Sequence, residues 1–297
     1  MSELPSNVEI RREAQEAALR WRLPFGRQSW RGAAGNWQGG GLGSSIDFQD
    51  HRAYAAGDDP RHLHWAAYAR TGQLTMKLYR AEVSPLVDVA VDVSASMSYD
   101  PLKAARGDTL LGFCVESAAR AGSHVRVHTV EGRRVRALAT ETVRAGDWRK
   151  RALGGLGEEP SVAVDAVPEG LPWRSGALKV LITDLLYPGD PGVVLRKMSA
   201  SGGLALVFAV TLAAEAKVPG TGNWELVDCE GGARRRQRID DAVAARYRAA
   251  YARHFELWRE AARRCNVGLA RVASEGDLTS ALGAEARVQG AVETVAR

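Results

Sequence analysis

Cysteine is scarce in this chain. Three occur in 297 residues, Cys114, Cys229 and Cys265. They are odd in number and show no metal-ligand spacing, which argues against a disulfide framework or a thiolate metal site and suits a reducing compartment. Long apolar runs are missing too. The longest, Leu204 to Ala214, is well short of the roughly 18 residues of a membrane span and reads as a buried strand. The N-terminus, MSELPSNVEIRREAQ, has no apolar signal-peptide core. These absences predict a soluble, cytoplasmic protein with no membrane span. Also missing is a Gly-rich phosphate loop ending in Lys, so nucleotide hydrolysis by this chain is not expected.

Basic residues are in excess. The net charge is +5, with clusters at Arg133-Arg134-Val135-Arg136, Arg149-Lys150-Arg151 and Arg234-Arg235-Arg236. No aromatic residues interleave with these runs as a base-stacking surface requires. They therefore read as solvated basic faces, and no nucleic acid is expected as a partner. An Arg-rich nucleic-acid-binding protein stays as an alternative, marked by affinity that falls steeply with salt. The chain is 45% hydrophobic and 25% charged, an ordinary globular composition with enough apolar residues for a sizeable core.

From Leu86 onward, apolar runs alternate with helical periodicity. Leu86 to Asp92, Ala177 to Asp184 and Leu204 to Thr211 read as buried strands, and Val267 to Val272 as a last one. Pro101 to Ala121 reads as a helix stopped by Gly122, Trp148 to Leu156 as a short helix and Pro191 to Ala200 as another. Glu131-Gly132 and Gly231-Gly232 mark two hairpins. Val243, Tyr247, Tyr251, Phe255, Trp258, Ala262 and Cys265 recur at three- and four-residue spacing, the core-facing stripe of a long helix ending near Asn266. A terminal helix is expected from about Asp277. Ahead of Leu86, a helix is predicted over Val8 to Leu23, and the run GNWQGGGLG from Gly35 to Gly43 reads as a flexible loop or turn series. The fold class expected is α/β, a doubly wound, mostly parallel sheet with helices on both faces, plus an N-terminal extension with short strands. The division expected is 1–83 and 84–297.

Two predicted strands end in carboxylates, Asp92 and Asp184. In such sheets ligands sit beyond the carboxyl ends of the strands, where strand order reverses. Asp92 is followed by Ser94 and Ser96 in VDVSASM. Two hydroxyls two residues apart in a loop can turn toward one point beside the carboxylate. Asp184 can join them directly or through water. Hard oxygen donors suit Mg²⁺, with Mn²⁺ or Ca²⁺ possible, and leave a position open.

VDVSASM followed by a helix, with LITD further on, resembles the metal-ion-dependent adhesion site of von Willebrand factor A domains. The stretch His51 to Tyr79, HRAYAAGDDPRHLHWAAYARTGQLTMKLY, resembles the signature of the bacterial family called domain of unknown function fifty-eight. Its matching positions here are Arg52, Tyr54, Gly57, Asp58, Asp59, Arg61, Trp65, Ala69, Arg70, Thr71 and Gly72. His64 stands where that family commonly has Asp. The resemblance implies a von Willebrand factor A-like, Rossmann-type domain with Asp92, Ser94 and Ser96 in the first metal loop, Asp184 in the third and Ser161, in EEPSVAVDAV, in the second. It further implies a non-enzymatic adaptor whose cation is met by a partner's carboxylate. The partner class implied is a MoxR-type AAA+ ATPase or its client, acting in assembly or maturation of other complexes.

The signature also has a reading of its own. Asp58-Asp59-Pro60 suits a turn, and Arg52, Arg61 and Arg70 could tie the segment to the main domain through carboxylates. An enzymatic alternative is a metal-dependent phosphoryl hydrolase, since a strand-end Asp beside Mg²⁺ resembles the haloacid dehalogenase type. Those enzymes need a second Asp two residues on, where this chain has Ser94, and no His is placed to activate a Ser nucleophile.

Overall fold

The computed structural model describes residues 5–27, 34–42, 48–132, 134–149, 171–186 and 189–295. The chain opens with helix α1 (Asn7–Arg20), started by a capping box in which Ser6 and Glu9 satisfy each other's backbone amides. The helix stops short of Leu23 because Trp21 and Arg22 turn extended. They form β1 (Trp21–Arg22), which pairs with β13 (Glu293–Thr294) at the other end of the chain.

The glycine-rich run is not a loop. It forms β2 (Ala34–Leu42), which lies antiparallel to β4 (Thr75–Val83), with β3 (Phe48–Ala53) on the far side of β4. The β2–β4 register slips between Ala34 and Trp37 and again between Gln38 and Leu42. Glycine is what such irregular pairing tolerates, so composition alone misreads the strand. Helix α2 (Trp65–Thr71) connects β3 to β4 and ends at Gly72, left-handed at φ +68°.

The central sheet has six strands in the order β12-β9-β8-β5-β6-β7. These are β5 (Leu86–Asp92), β6 (His124–Glu131), β7 (Arg134–Leu138), β8 (Leu178–Thr183), β9 (Ala205–Thr211) and β12 (Gly268–Ala273). All neighbours are parallel except the β6–β7 edge hairpin. A single helical turn, α3 (Ala95–Ser98), follows β5 and precedes α4 (Pro101–Arg120). The remaining α-helices among the described residues are α5 (Thr140–Ala145), α6 (Pro191–Ala200), α7 (Asp241–Cys265) and α8 (Leu278–Ala281). The terminal helix is thus one turn, capped by Asp277 and continued by a wider turn at Leu282–Ala286. Most of the helix expected at Trp148 to Leu156 lies outside the described residues.

Alternation along the strands feeds two cores. Val87, Val89, Val91, Val180, Ile182 and Phe208 face one side, where α1 and α4 pack. Ala90, Leu181, Val207 and Ala209 face the other, where Phe255, Trp258 and Ala262 of α7 and Leu195 and Met198 of α6 close over them. Burial on both faces explains why these strands read as continuous apolar runs. Helix α1 precedes residue 83 in sequence, yet its Ala14, Ala17 and Ala18 belong to the same core as β5. Buried Arg106 of α4 fastens this corner, donating to Glu13 at 3.1 Å and to the carbonyls of Ser274 and Gly276.

After β5 the chain moves toward β6 on one side, and after β8 it moves toward β9 on the other. Strand order therefore reverses between β5 and β8, which in such sheets is where a crevice lies beyond the carboxyl ends.

Candidate functional site at the strand tips

Register places the site before any side chain is considered. Val91 faces Ile182 across the β5–β8 pair, so Asp92 and Thr183 end neighbouring strands. The Thr183 hydroxyl donates to Asp92 Oδ2 at 2.7 Å, and the Ser94 amide donates to Asp92 Oδ1 at 2.9 Å. The loop then turns so that Ser94 Oγ and Ser96 Oγ lie 3.1 Å apart. Asp92, Ser94 and Ser96 are therefore brought together. Desolvation pushes the Asp92 carboxyl up from its ordinary range, and the charge of Asp184 pushes it further, against the hydrogen bonds from Thr183 and Ser94.

Asp184 follows Thr183 at the tip of β8 and is almost fully buried. Its Oδ1 accepts from the Leu186 amide at 2.9 Å, and its Oδ2 accepts from Lys103 Nζ at 2.6 Å. Lys103 comes from the first turn of α4, is 1% exposed, and also donates to Glu215 Oε1. Burial opposes its charge, but Asp184 and Glu215 outweigh it and hold the ammonium above its usual range. Between Asp184 and Leu186 the chain passes through Leu185 at φ +62°, a costly conformation for a branched, fully buried residue. His254 of α7 holds that turn through the Leu185 carbonyl at 2.8 Å.

More carboxylates ring the crevice. Glu215 accepts from the Leu212 amide at 3.0 Å. Glu230, in the turn between β10 (Gly222–Val227) and β11 (Arg234–Ile239), accepts from the Ser96 amide at 2.6 Å and the Ala95 amide at 3.2 Å. The excess of negative charge is felt nearby. The Tyr251 hydroxyl is pushed up to about 12 by burial, with Glu215, Tyr247 and Asp184 adding to it.

This donor set is oxygen only, which suits a hard divalent cation and no soft one. Among the described residues no group of three or more His, Cys, Asp or Glu is arranged to hold a metal. The donors that fit are Asp92 with the hydroxyls of Ser94 and Ser96. Asp184 is already neutralised by the buried Lys103 ammonium, whereas Asp92 has only neutral donors, so Asp184 suits a contact through water. Ser161 lies outside the described residues.

Lys103, Thr183, Glu215 and Glu230 all escaped the sequence reading. Lys103 carried a signal, since it falls three residues before Arg106 and seven before Leu110, in line with the buried face of α4. A cation on an apolar stripe marks a buried ion pair. Thr183 had only its place before Asp184. Glu230 is 134 residues from Ser96 and had no local signal.

The N-terminal signature is a locally closed unit. Arg52 and Asp58 form a bidentate pair at 2.7 and 2.5 Å, and Asp58 also caps the Ala55 amide. Asp59 accepts from the Arg61 amide at 3.0 Å and from two nitrogens of its guanidinium, the shortest contact at 2.7 Å. These Arg–carboxylate pairs thus join neighbours in sequence; they do not tie the segment to the main sheet. Gly57 supplies φ +104° in the turn. The Tyr54 amide donates to the Leu74 carbonyl at 3.0 Å. Trp65, Tyr68 and Arg70 lie exposed on α2, the two rings edge to face. His64 meets His51 at 3.1 Å. Of the basic clusters, Arg234, Arg235 and Arg236 are exposed on β11. Arg149 is not part of a solvated face, because Asp108 holds it at 2.5 and 2.9 Å. Arg133, Lys150 and Arg151 lie outside the described residues.

With the signature and the crevice in view, comparison with known proteins defines the class. The family described as "Protein of unknown function DUF58" matches residues 50–257. The chain belongs to this family. It is 26% identical over 245 residues to uncharacterized proteins of Mycobacterium bovis and Mycobacterium tuberculosis, covering 77% of this chain and 74% of theirs. Among solved structures it is similar to an aerotolerance-related membrane protein of Bacteroides fragilis, at 17% identity and TM-score 0.38 over 70% of this chain and 99% of that one. It is also similar to a conserved hypothetical protein BatB of Bacteroides thetaiotaomicron, at 14% identity and TM-score 0.34 over 70% and 97%. The expectation of a cytoplasmic protein is withdrawn, because a protein of similar structure is described as a membrane protein. Among the described residues no helix is long and apolar enough to cross a membrane.

Proposed function

We propose that this chain is a von Willebrand factor A-like, non-enzymatic binding protein that presents a divalent cation at its strand tips to an acidic side chain of a protein partner. Asp92, Ser94 and Ser96 would hold the cation, with Asp184 behind them. When bound, the cation supplies a Lewis-acid position that a partner's carboxylate can occupy. The chain's own residues do the rest. Thr183 and the Ser94 amide orient Asp92, and Lys103 neutralises Asp184 so that the crevice does not carry both charges unpaired. The observation that carries the reading is that the loop after β5 already holds a carboxylate, that of Glu230. A loop built to accept one acidic side chain in cis is suited to accept another in trans.

The family resemblance supplies the partner class, a MoxR-type AAA+ ATPase or its client. Ser94 at the position of a general acid speaks for binding over phosphoryl hydrolysis. The test is capture of a purified MoxR-type ATPase from the source cell by immobilised wild type and Asp92→Ala, with Mg²⁺ and with chelator. Capture by the wild type alone, and only with metal, is expected. Capture that ignores both metal and Asp92 overturns the reading.

A further inference from the structure

Glu230 sits in a turn that holds its own shape. The Asp228 carboxylate accepts from the Glu230 amide at 3.2 Å and the Gly231 amide at 3.0 Å. The Asp228 amide donates to the Ala233 carbonyl, and Gly232 closes the turn at φ +67°. Glu230 leaves this rigid tip and reaches the two amides beside the Ser94 and Ser96 hydroxyls. The strands behind it lean on little else. Among the described residues β10 and β11 pair only with each other, every residue of β10 is exposed, and Ile239 alone of β11 is buried. A lone two-stranded ribbon is marginally stable. Segments so tied belong to the easily opened part of a structure.

Charge says what would open it. Arg234, Arg235, Arg236 and Arg238 are exposed along β11, and the one ion pair described for them is Arg234 with Glu225 at 3.7 Å. These arginines lie on the same hairpin as Glu230, so they favour the approach of an acidic segment to it.

We infer that the Gly222–Ile239 hairpin is a strap that holds the strand-tip site self-occupied through Glu230, and that an acidic partner segment binds by displacing it. This rests on the binding reading above and adds its regulation. Apparent affinity for an incoming carboxylate is lowered by the fraction of molecules whose strap is closed.

The experiment compares full-length wild type, Glu230→Gln and Asp92→Ala. The probe is a five-residue peptide with one central Glu among glycines, in Mg²⁺, with its Gln counterpart as control. Binding is read at the Ala95 and Ser96 amides by NMR, and opening by tryptic cleavage within Arg234–Arg238. Glu230→Gln is expected to be cut about tenfold faster and to bind the Glu peptide about tenfold more tightly than wild type. Wild type should reach the faster cleavage only with the Glu peptide and Mg²⁺. Equal cleavage and equal peptide affinity in wild type and Glu230→Gln overturn the strap. So does a peptide that binds neither. If that equality comes with binding that Asp92→Ala abolishes, the strap fails and the binding reading stands. Peptide binding unchanged in Asp92→Ala overturns the binding reading itself.

Discussion

Lys103 Nζ and Asp184 Oδ2 lie 2.6 Å apart, with the two side chains 1% and 3% exposed. The pair joins the first turn of α4 to the tip of β8 and reaches Glu215 beyond. It places a fixed positive charge beside the carboxylate that ends β8.

Removing that charge leaves Asp184 buried without its cation. Lys103→Met should cost about 3–5 kcal/mol, the usual penalty for breaking a buried pair. The loss is expected to be largest in chelator and partly recovered by Mg²⁺, because a ligand that binds only the folded state stabilises it. Denaturant unfolding with and without Mg²⁺ measures both. A loss that Mg²⁺ leaves unchanged means the crevice takes no cation in place of the ammonium.

Asp92 behaves oppositely. Burial and the neighbouring Asp184 already disfavour its charged form, so the folded chain gains little from ionising it. Asp92→Asn should be neutral or stabilising by up to about 1 kcal/mol in chelator. Any rise in melting temperature that Mg²⁺ gives the wild type should vanish in the variant. Calorimetry in Mg²⁺ and in chelator reads the difference.

At the opposite end of the sheet, Asp88 is fully buried and accepts from the Arg174 guanidinium at 2.7 Å and the Arg174 amide at 2.6 Å. Arg174 also spans the carbonyls of Val87 and His124. Arg174→Ala should cost about 3–5 kcal/mol and leave the Mg²⁺ response intact. It is the control that separates loss of fold from loss of site.

The aromatic stripe of α7 divides in two. Trp258 is fully buried, whereas Tyr247 is 41% exposed and its hydroxyl donates to the Glu215 carbonyl at 2.6 Å. Trp258→Ala should cost about 3–5 kcal/mol through the cavity it leaves. Tyr247→Phe should cost no more than about 1 kcal/mol, the worth of one part-exposed hydrogen bond. Equal losses at the two positions would mean that the exposed half of α7 is covered by something else.

That stripe also shows where sequence stops. Three- and four-residue spacing runs unbroken from Val243 to Cys265, and the helix forms over the whole span, from Asp240 as cap to Asn266 in the left-handed conformation. Periodicity reports which face is apolar. How much of that face is covered is decided by what packs against it: Phe255, Trp258 and Ala262 lie in the core, whereas Tyr247 is 41% exposed. Local chemistry was equally sufficient for β5, β8 and β9, whose apolar runs end where their backbone pairing ends, and for the Asp277 cap. It failed at β2, where glycines that read as loop pair with a strand more than thirty residues away.

The site divides along the same line. Asp92, Ser94 and Ser96 are close in sequence, so one strand end and one loop bring them together, and their pattern was legible. Asp184 was legible as a strand-end carboxylate, and the parallel β5–β8 register carries it to Asp92. Lys103, Glu215 and Glu230 come from a helix, a short turn and a hairpin separated by up to 127 residues. No local spacing links them. They meet because the two directions of winding part between β5 and β8, and whatever crosses above that gap converges on it. Sequence by itself determined the main strands of the central sheet, its long helices and the oxygen-bearing loop. Only the tertiary structure decided which charges close over it, since a charge buried in that crevice must find its partner there, however distant in the chain.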